Sequence, residues 1–219
     1  MKVVIAGGTG MVGKKVLELC LADDAISEVR SLVRRPTGQV HARLREYVVA
    51  DFAHPEAEAF VGCDVAFFCL GAYTGSVSNE LLKTITVDYA VAFAKALEAG
   101  SPGARVCLLS GAGADRSEKS RTPFALYKGM AENQIAALNL RFFTLRPGYI
   151  YPTEPRTEPN IGYTIMRLLY PVIRLLGRRY SVTSQQLAEA LFLVGMKGAE
   201  KEVLENQDIL AFLRKNVSS

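Results

Sequence analysis

The sequence predicts an α/β fold: a doubly wound parallel sheet, covered by helices on both faces, with a small C-terminal helical cap. Three observations carry the prediction. Apolar runs of strand length alternate with helical patterns over roughly the first 150 residues. The first run breaks into glycines that open an amphipathic helix. After Pro147 the chain changes to a loop rich in Pro, Thr and Glu, then to an apolar segment that carries arginines.

The elements follow in order. VVIA at 3–6 reads as a strand, and 11–22 as a helix with Val12, Val16, Leu19 and Cys20 on one side. EVRSLV at 28–33 and REYVVAD at 45–51 are strands, and DVAFFCLG at 64–71 is a strand buried on both faces. An Ala-rich helix over 84–99 ends at Gly100, a C-cap signal. ARVCLLS at 104–110 is a strand, 123–138 a helix, and FFTLRPG at 142–148 a strand stopped by Pro147. Residues 184–196 form a helix with Ser184 as its expected N-cap. EVLEN at 202–206 is a last strand before a short terminal helix.

The bulk numbers bound the function. At 219 residues, 49% apolar and 22% charged, the chain suits one globular domain with a full core. The whole of 1–219 is read as a single nucleotide-binding domain. Within it, about 151–183 forms a cap or interface segment and 184–219 returns to the core. A net charge of +4 is too small to argue for nucleic acid. No uncharged apolar stretch reaches the roughly 20 residues that span a bilayer, and MKVVIAGGTG does not read as a signal peptide. Cys20, Cys63, Cys69 and Cys107 lie in apolar runs without a CxxC pair, as buried reduced thiols do, which places the protein in the cytoplasm. With His41 and His54 the only histidines, no metal site is expected.

GGTGMVGKKV spaces Gly7, Gly10 and Gly13 three apart. Gly7 permits a tight turn, Gly10 lets the backbone approach a pyrophosphate, and Gly13 lets the helix pack on the sheet. Backbone N–H groups at the helix start then face the phosphates. This is the Rossmann arrangement for a dinucleotide. An acid at the end of the second strand would select NAD. Here LVRRP offers Arg34 and Arg35, whose planar donors suit a 2′-phosphate, so NADP(H) is expected over NAD(H). Asp51 and Phe52 follow the third strand, where the adenine edge falls in this fold. Leu70 and Gly71 end the fourth, beside the expected nicotinamide ribose.

GGTGMVG, LVRRP, ADF, CLGAY, LLSGAGAD, YKGMAE, RPGYIYP and VLENQDIL come in an order that resembles the atypical short-chain dehydrogenase/reductases, above all the Tat-interacting-protein-like branch. The resemblance covers nearly the whole chain. It implies that Gly8, Thr9, Met11 and Val12 of the glycine loop, Ala72 of CLGAY, and Pro147 and Ile150 of RPGYIYP also touch the cofactor. It implies further that Ser110 orients a substrate carbonyl, and that Lys128 holds the nicotinamide ribose and lowers the pKa of a tyrosine four residues earlier. That position is Phe124. A phenol can protonate an alkoxide and phenylalanine cannot, and such acid catalysis contributes about 10²–10⁴-fold. Tyr127 stands about 100° around the helix from Lys128, on a neighbouring face, and is the nearest replacement.

Two functions therefore stay open. One is an NADP(H)-dependent oxidoreductase acting on a small carbonyl, with Ser110, Lys128 and Tyr127 as candidate catalytic groups. The other is a non-catalytic NADP(H)-sensing or scaffold protein. The basic apolar segment 161–180, with Arg167, Arg174, Arg178 and Arg179, reads as a cap over the cleft or as a homodimer interface. Pro171 argues against one long membrane-surface helix.

Overall fold

The computed structural model describes residues 1–72, 75–154 and 180–217. Seven parallel strands form one sheet in the order β3-β2-β1-β4-β5-β6-β9. They are β1 (Lys2–Ala6), β2 (Glu28–Val33), β3 (Leu44–Val48), β4 (Val65–Phe68), β5 (Arg105–Leu109), β6 (Arg141–Arg146) and β9 (Val203–Glu205). The strand order reverses at β1, which pairs with β2 on one side and β4 on the other. A crevice forms at such a switch point, beyond the carboxyl ends of the strands.

Strand residues alternate between two cores. Val3 and Ile5 join one with Phe67, while Val4 and Ala6 join the other with Ala66 and Phe68. Both faces of β1 and β4 are covered, so their sequences are apolar throughout rather than alternating. The first face carries α1 (Gly13–Ala22) and the later helices α5 (Ser184–Lys197) and α6 (Asn206–Val217). The second carries α3 (Tyr89–Gly100) and α4 (Pro123–Ala136). Phe93 stands edge-on between Phe60 and Phe68, with centroids 5.1 and 5.4 Å away.

Four local readings change. The helix expected over 84–99 begins earlier, as α2 (Asn79–Lys83), and passes through a π-helical turn at Thr84–Asp88 into α3. Gly100 is its last residue, not a left-handed cap; a Cβ there would come within 3.0 Å of the Phe60 backbone, so the glycine serves a close approach. The N-cap of α5 is Thr183, not Ser184: Thr183 Oγ1 accepts from the Gln186 backbone N–H, and the Thr183 backbone N–H donates to Gln186 Oε1. A two-stranded parallel sheet, β7 (Tyr149–Tyr151) with β8 (Ser181–Thr183), joins the two ends of the expected cap. The helical cap itself, with Arg167, Pro171, Arg174, Arg178 and Arg179, lies outside the described residues. Among the described residues, no helix is long and apolar enough to cross a membrane.

Candidate functional site

The switch-point crevice is a cavity of about 840 Å³. Its floor is the glycine loop. Gly7 sits at φ +87° with Cys69 folded against it, so a Cβ there would fall 2.7 Å from the Cys69 carbonyl carbon. A Cβ at Gly13 would lie 2.1 Å from the Gly7 carbonyl oxygen, which packs the start of α1 onto the loop. Gly10 differs. Among the described residues, the one neighbour within 4 Å of its Cβ direction is the Gly7 oxygen at 3.3 Å, and Gly10 faces the cavity. The room left at Gly10 is on the ligand side, and α1 points its N-terminus there.

Opposite the loop, α4 brings Lys128 and Phe124 to the carboxyl end of β5. Lys128 is 9% exposed, and Nζ donates to the Leu109 carbonyl at 3.0 Å, its one hydrogen-bond partner among the described residues. It is not a surface lysine reaching for water. Burial pushes its pKa down to about 8, although Glu132 and Cys69 pull the other way. Phe124 lays its ring tip on Gly111, where a Cβ would approach to 2.4 Å. Gly129 explains the glycine of KGMAE: a Cβ would collide with the Asp115 carbonyl oxygen at 1.8 Å, so α4 seats against the loop after β5.

Ser110 is buried, lines the cavity, and donates its hydroxyl to Glu132 Oε1 at 2.6 Å. Glu132 is fully buried and collects further donors. Thr144 Oγ1 lies at 3.2 Å, Arg146 Nε at 3.0 Å, Arg116 Nε at 2.9 Å, and Arg146 bonds it a second time. Burial raises the Glu132 pKa, but the bonds from Arg146 and Ser110 outweigh it and hold the carboxyl below the ordinary range. The two arginines continue outward to Glu202 and Glu205 at 2.7 and 2.9 Å. Glu132 closes the YKGMAE motif, four residues after Lys128 on the same helix, but the sequence alone assigns it no role.

The cavity wall gathers Thr9, Gly10, Met11, Val12, Leu70, Gly71, Ala72, Ser110, Lys128, Pro147 and Ile150 from the sequence-chosen set. Gly7 and Gly8 lie beneath it and shape the loop. Tyr127 goes elsewhere: its hydroxyl accepts from Asn79 Nδ2 at 2.9 Å, its ring packs on the second core, and it is not in the cavity wall. Phe52 is likewise a core residue, 6% exposed and 5.7 Å from the Tyr89 ring. Asp51 is exposed and bound up in its own turn, accepting from the Ala53 amide and pairing with His54 at 2.9 Å. Arg34 and Arg35 are exposed just past β2, with no ion pair among the described residues. Sequence reading also overlooked Lys14, Lys15, Tyr149 and Glu154, which line the cavity. Cys69 is half-buried on the wall rather than sealed in the core, and burial pushes its thiol up to about 12. No His, Cys, Asp and Glu cluster suited to a metal occurs among the described residues.

A family model described as NAD(P)H-binding matches residues 7–192, from the glycine loop to α5. The chain belongs to this NAD(P)H-binding family. Within it the chain is an atypical short-chain dehydrogenase/reductase of the Tat-interacting-protein-like kind. Protein HTATIP2 of Rattus norvegicus is 28% identical over 217 residues, covering 95% of this chain and 87% of that protein. Protein FMP52, mitochondrial, of Coccidioides immitis is 28% identical over 160 residues, 67% of this chain and 64% of that one. Among solved structures, a UDP-N-acetylglucosamine 4-epimerase from Methanobrevibacter ruminantium shares the fold at TM-score 0.69 and 15% identity, over 93% of this chain and 74% of that chain. WbmG of Bordetella bronchiseptica, solved with NAD, matches at TM-score 0.68 and 14% identity, over 100% and 79%. The open space at Gly10, the uncapped start of α1 and the buried Lys128 fit an NAD(P)-type dinucleotide in this cleft.

Proposed function

We propose that this NAD(P)H-binding protein is an NADP(H)-dependent oxidoreductase that acts on a small carbonyl compound. One observation carries the reading: a single cavity joins the glycine loop to Ser110 and Lys128. The bound cofactor supplies the hydride. The start of α1 holds the phosphates, and Arg34 and Arg35, which make no ion pair among the described residues, hold the 2′-phosphate that distinguishes NADP. Ser110 orients the carbonyl oxygen. Glu132 holds five hydrogen bonds from four residues. Ser110 can therefore turn to the substrate without leaving that carboxylate unpaired.

Phe124 gives the site an apolar wall and no proton. The Lys128 ammonium supplies the proton to the developing alkoxide, since its depressed pKa brings it near working pH. The free amine left behind suits the buried position, and water at the cleft mouth returns the proton. The substrate is small, because the same cavity must hold the dinucleotide. The four free cysteines suit the reducing cytoplasm, and the natural state for test is a monomer or homodimer.

A second reading rests on Phe124 and Tyr127. The phenol that the family resemblance expects beside Lys128 is absent, and the nearby one is bonded to Asn79. That arrangement suits an NADP(H) sensor without turnover. The deciding experiment is to titrate the protein with NADPH, NADP⁺ and NADH by calorimetry, then follow NADPH oxidation with a panel of aldehydes and ketones. The oxidoreductase reading expects tight NADPH binding, weaker NADH binding and turnover of at least one carbonyl. Binding that strongly favours one redox form, with no turnover, points to the sensor. Binding of no nucleotide overturns both.

A further inference from the structure

Lys14 and Lys15 occupy the first turn of α1, where the helix dipole already concentrates positive charge. That turn has no acidic residue and no side-chain cap. Lys15 is only 8% exposed. A buried ammonium at the positive end of a helix needs an anion. The fold supplies one from 139 residues away: Glu154 bonds Lys15, and its other oxygen lies 4.0 Å from Lys14 Nζ. Lys14, Lys15 and Glu154 all line the cleft beside Gly10.

Glu154 follows an anchored residue. Thr153 is fastened to Ser184, through its amide at 3.1 Å and its hydroxyl at 2.9 Å. The Glu154 side chain keeps 55% of its surface exposed. The carboxylate can therefore swing off the lysines about a fixed point, with no strand displaced. Dinucleotide phosphates at the start of α1 would claim the same two ammonium groups and the same dipole.

We propose that Glu154 is a displaceable internal anion, which neutralises the buried Lys15 in the nucleotide-free protein and yields it to the phosphates of the incoming cofactor. The inference rests on the NADP(H) reading of the cleft. Glu154 then limits cofactor affinity, and it acts through Lys15 rather than through general charge at the rim. Glu18 provides the comparison, because it pairs with Lys14 at 3.8 Å but does not line the cleft.

The test is calorimetric titration with NADPH of the full chain and of Glu154→Gln, Glu18→Gln, Lys15→Met and the Lys15→Met/Glu154→Gln double variant. Glu154→Gln is expected to tighten NADPH about three- to fivefold, the size of a partly exposed ion pair. Glu18→Gln should leave affinity unchanged, and Glu154→Gln should add nothing once Lys15 is methionine. Unchanged or weaker binding by Glu154→Gln overturns the inference. So does an equal gain from Glu18→Gln, or a gain that persists without Lys15. Failure of both the full chain and Glu154→Gln to bind NADPH overturns the cofactor reading itself, and this inference with it.

Discussion

Lys128 and Glu132, one turn apart on α4, grip two consecutive residues at the carboxyl end of β5. Lys128 Nζ donates to the Leu109 carbonyl at 3.0 Å, and Glu132 Oε1 accepts the Ser110 hydroxyl at 2.6 Å. Both side chains are buried, at 9% and 0% exposure. The helix is thus tied to the strand by charged groups as well as by apolar contact. The distance between ammonium and hydroxyl is set inside the Rossmann core, before any cap is considered. A site built this way keeps its geometry on a rigid support, as catalytic and binding constellations require.

Lys128 should weaken the nucleotide-free fold at neutral pH. Its pKa falls from 10.5 to about 8 on folding, so the unfolded chain holds that proton more tightly. Its penalty is full below about pH 8 and fades as pH rises toward 10.5. Stability therefore increases with pH across that window, as far as this group is concerned. Lys128→Met should raise stability at pH 7 by about 1–2 kcal/mol, after loss of the Leu109 hydrogen bond is allowed for. Urea denaturation at pH 7 and pH 9.5 checks it: the gain should shrink at the higher pH. NADPH affinity of the same variant should fall.

Glu132→Gln has the opposite sign. Removing the charge leaves Arg116 and Arg146 partly buried beside a neutral amide, and the amide can no longer accept on both sides. Arg116 already has one buried nitrogen without a partner among the described residues. Breaking a buried ion cluster on one side costs about 3–5 kcal/mol. Chemical denaturation at pH 7 should show a loss in that range. In the parent protein the depressed Glu132 pKa contributes stability above the ordinary carboxylate range, and this is lost as pH falls through the folded value. The loss caused by Glu132→Gln should therefore shrink on acidification.

The legible parts of this molecule are the local ones. Gly7 turns at φ +87° and Gly13 meets the Gly7 carbonyl six residues back, so their spacing alone reveals the loop, although the Cys69 backbone that closes on Gly7 comes from 62 positions away. Apolar runs gave the strands because both sheet faces are covered. Contacts between distant segments were not legible. Lys15 meets Glu154 across 139 positions, and Glu132 draws its partners from the residue after β5, from β6 and from the loop before α4. Phe52 occupies the expected adenine edge by position, yet its ring turned inward to Tyr89. Tyr127 shows how a helix face decides: about 100° of rotation from Lys128 carried its hydroxyl to Asn79. β7 and β8, three residues each, are too short for any period to announce them.

Arg34 and Arg35 should set nucleotide choice. Both are exposed past β2 and make no ion pair among the described residues, so replacing them leaves no buried group behind. The Arg34→Ala/Arg35→Ala double variant should keep its melting temperature. It should lose about tenfold or more in NADPH affinity, the scale of a charge-assisted phosphate contact. NADH affinity should stay within about twofold. An equal loss for both nucleotides would mean that the arginines serve the shared pyrophosphate instead of the 2′-phosphate.

Phe124→Tyr tests the chemistry most directly. The ring stands one turn before Lys128, in the cavity wall, with its tip on Gly111. Adding a hydroxyl there places a phenol beside a buried ammonium, the pairing that lowers a phenol's pKa. If the parent protein relies on Lys128 for the proton, its turnover should fall as pH rises through about 8, where the ammonium is lost. Phe124→Tyr should then raise turnover by about 10²-fold. Tyr149→Phe is the necessary companion, because Tyr149 is the one phenol in the cavity wall among the described residues. With Lys128 as the acid, Tyr149→Phe should change turnover less than about threefold; a loss of 10²-fold or more would move the acid to Tyr149. If neither the parent nor Phe124→Tyr turns over any carbonyl while both bind NADPH, the cleft is a binding site and the sensor reading stands.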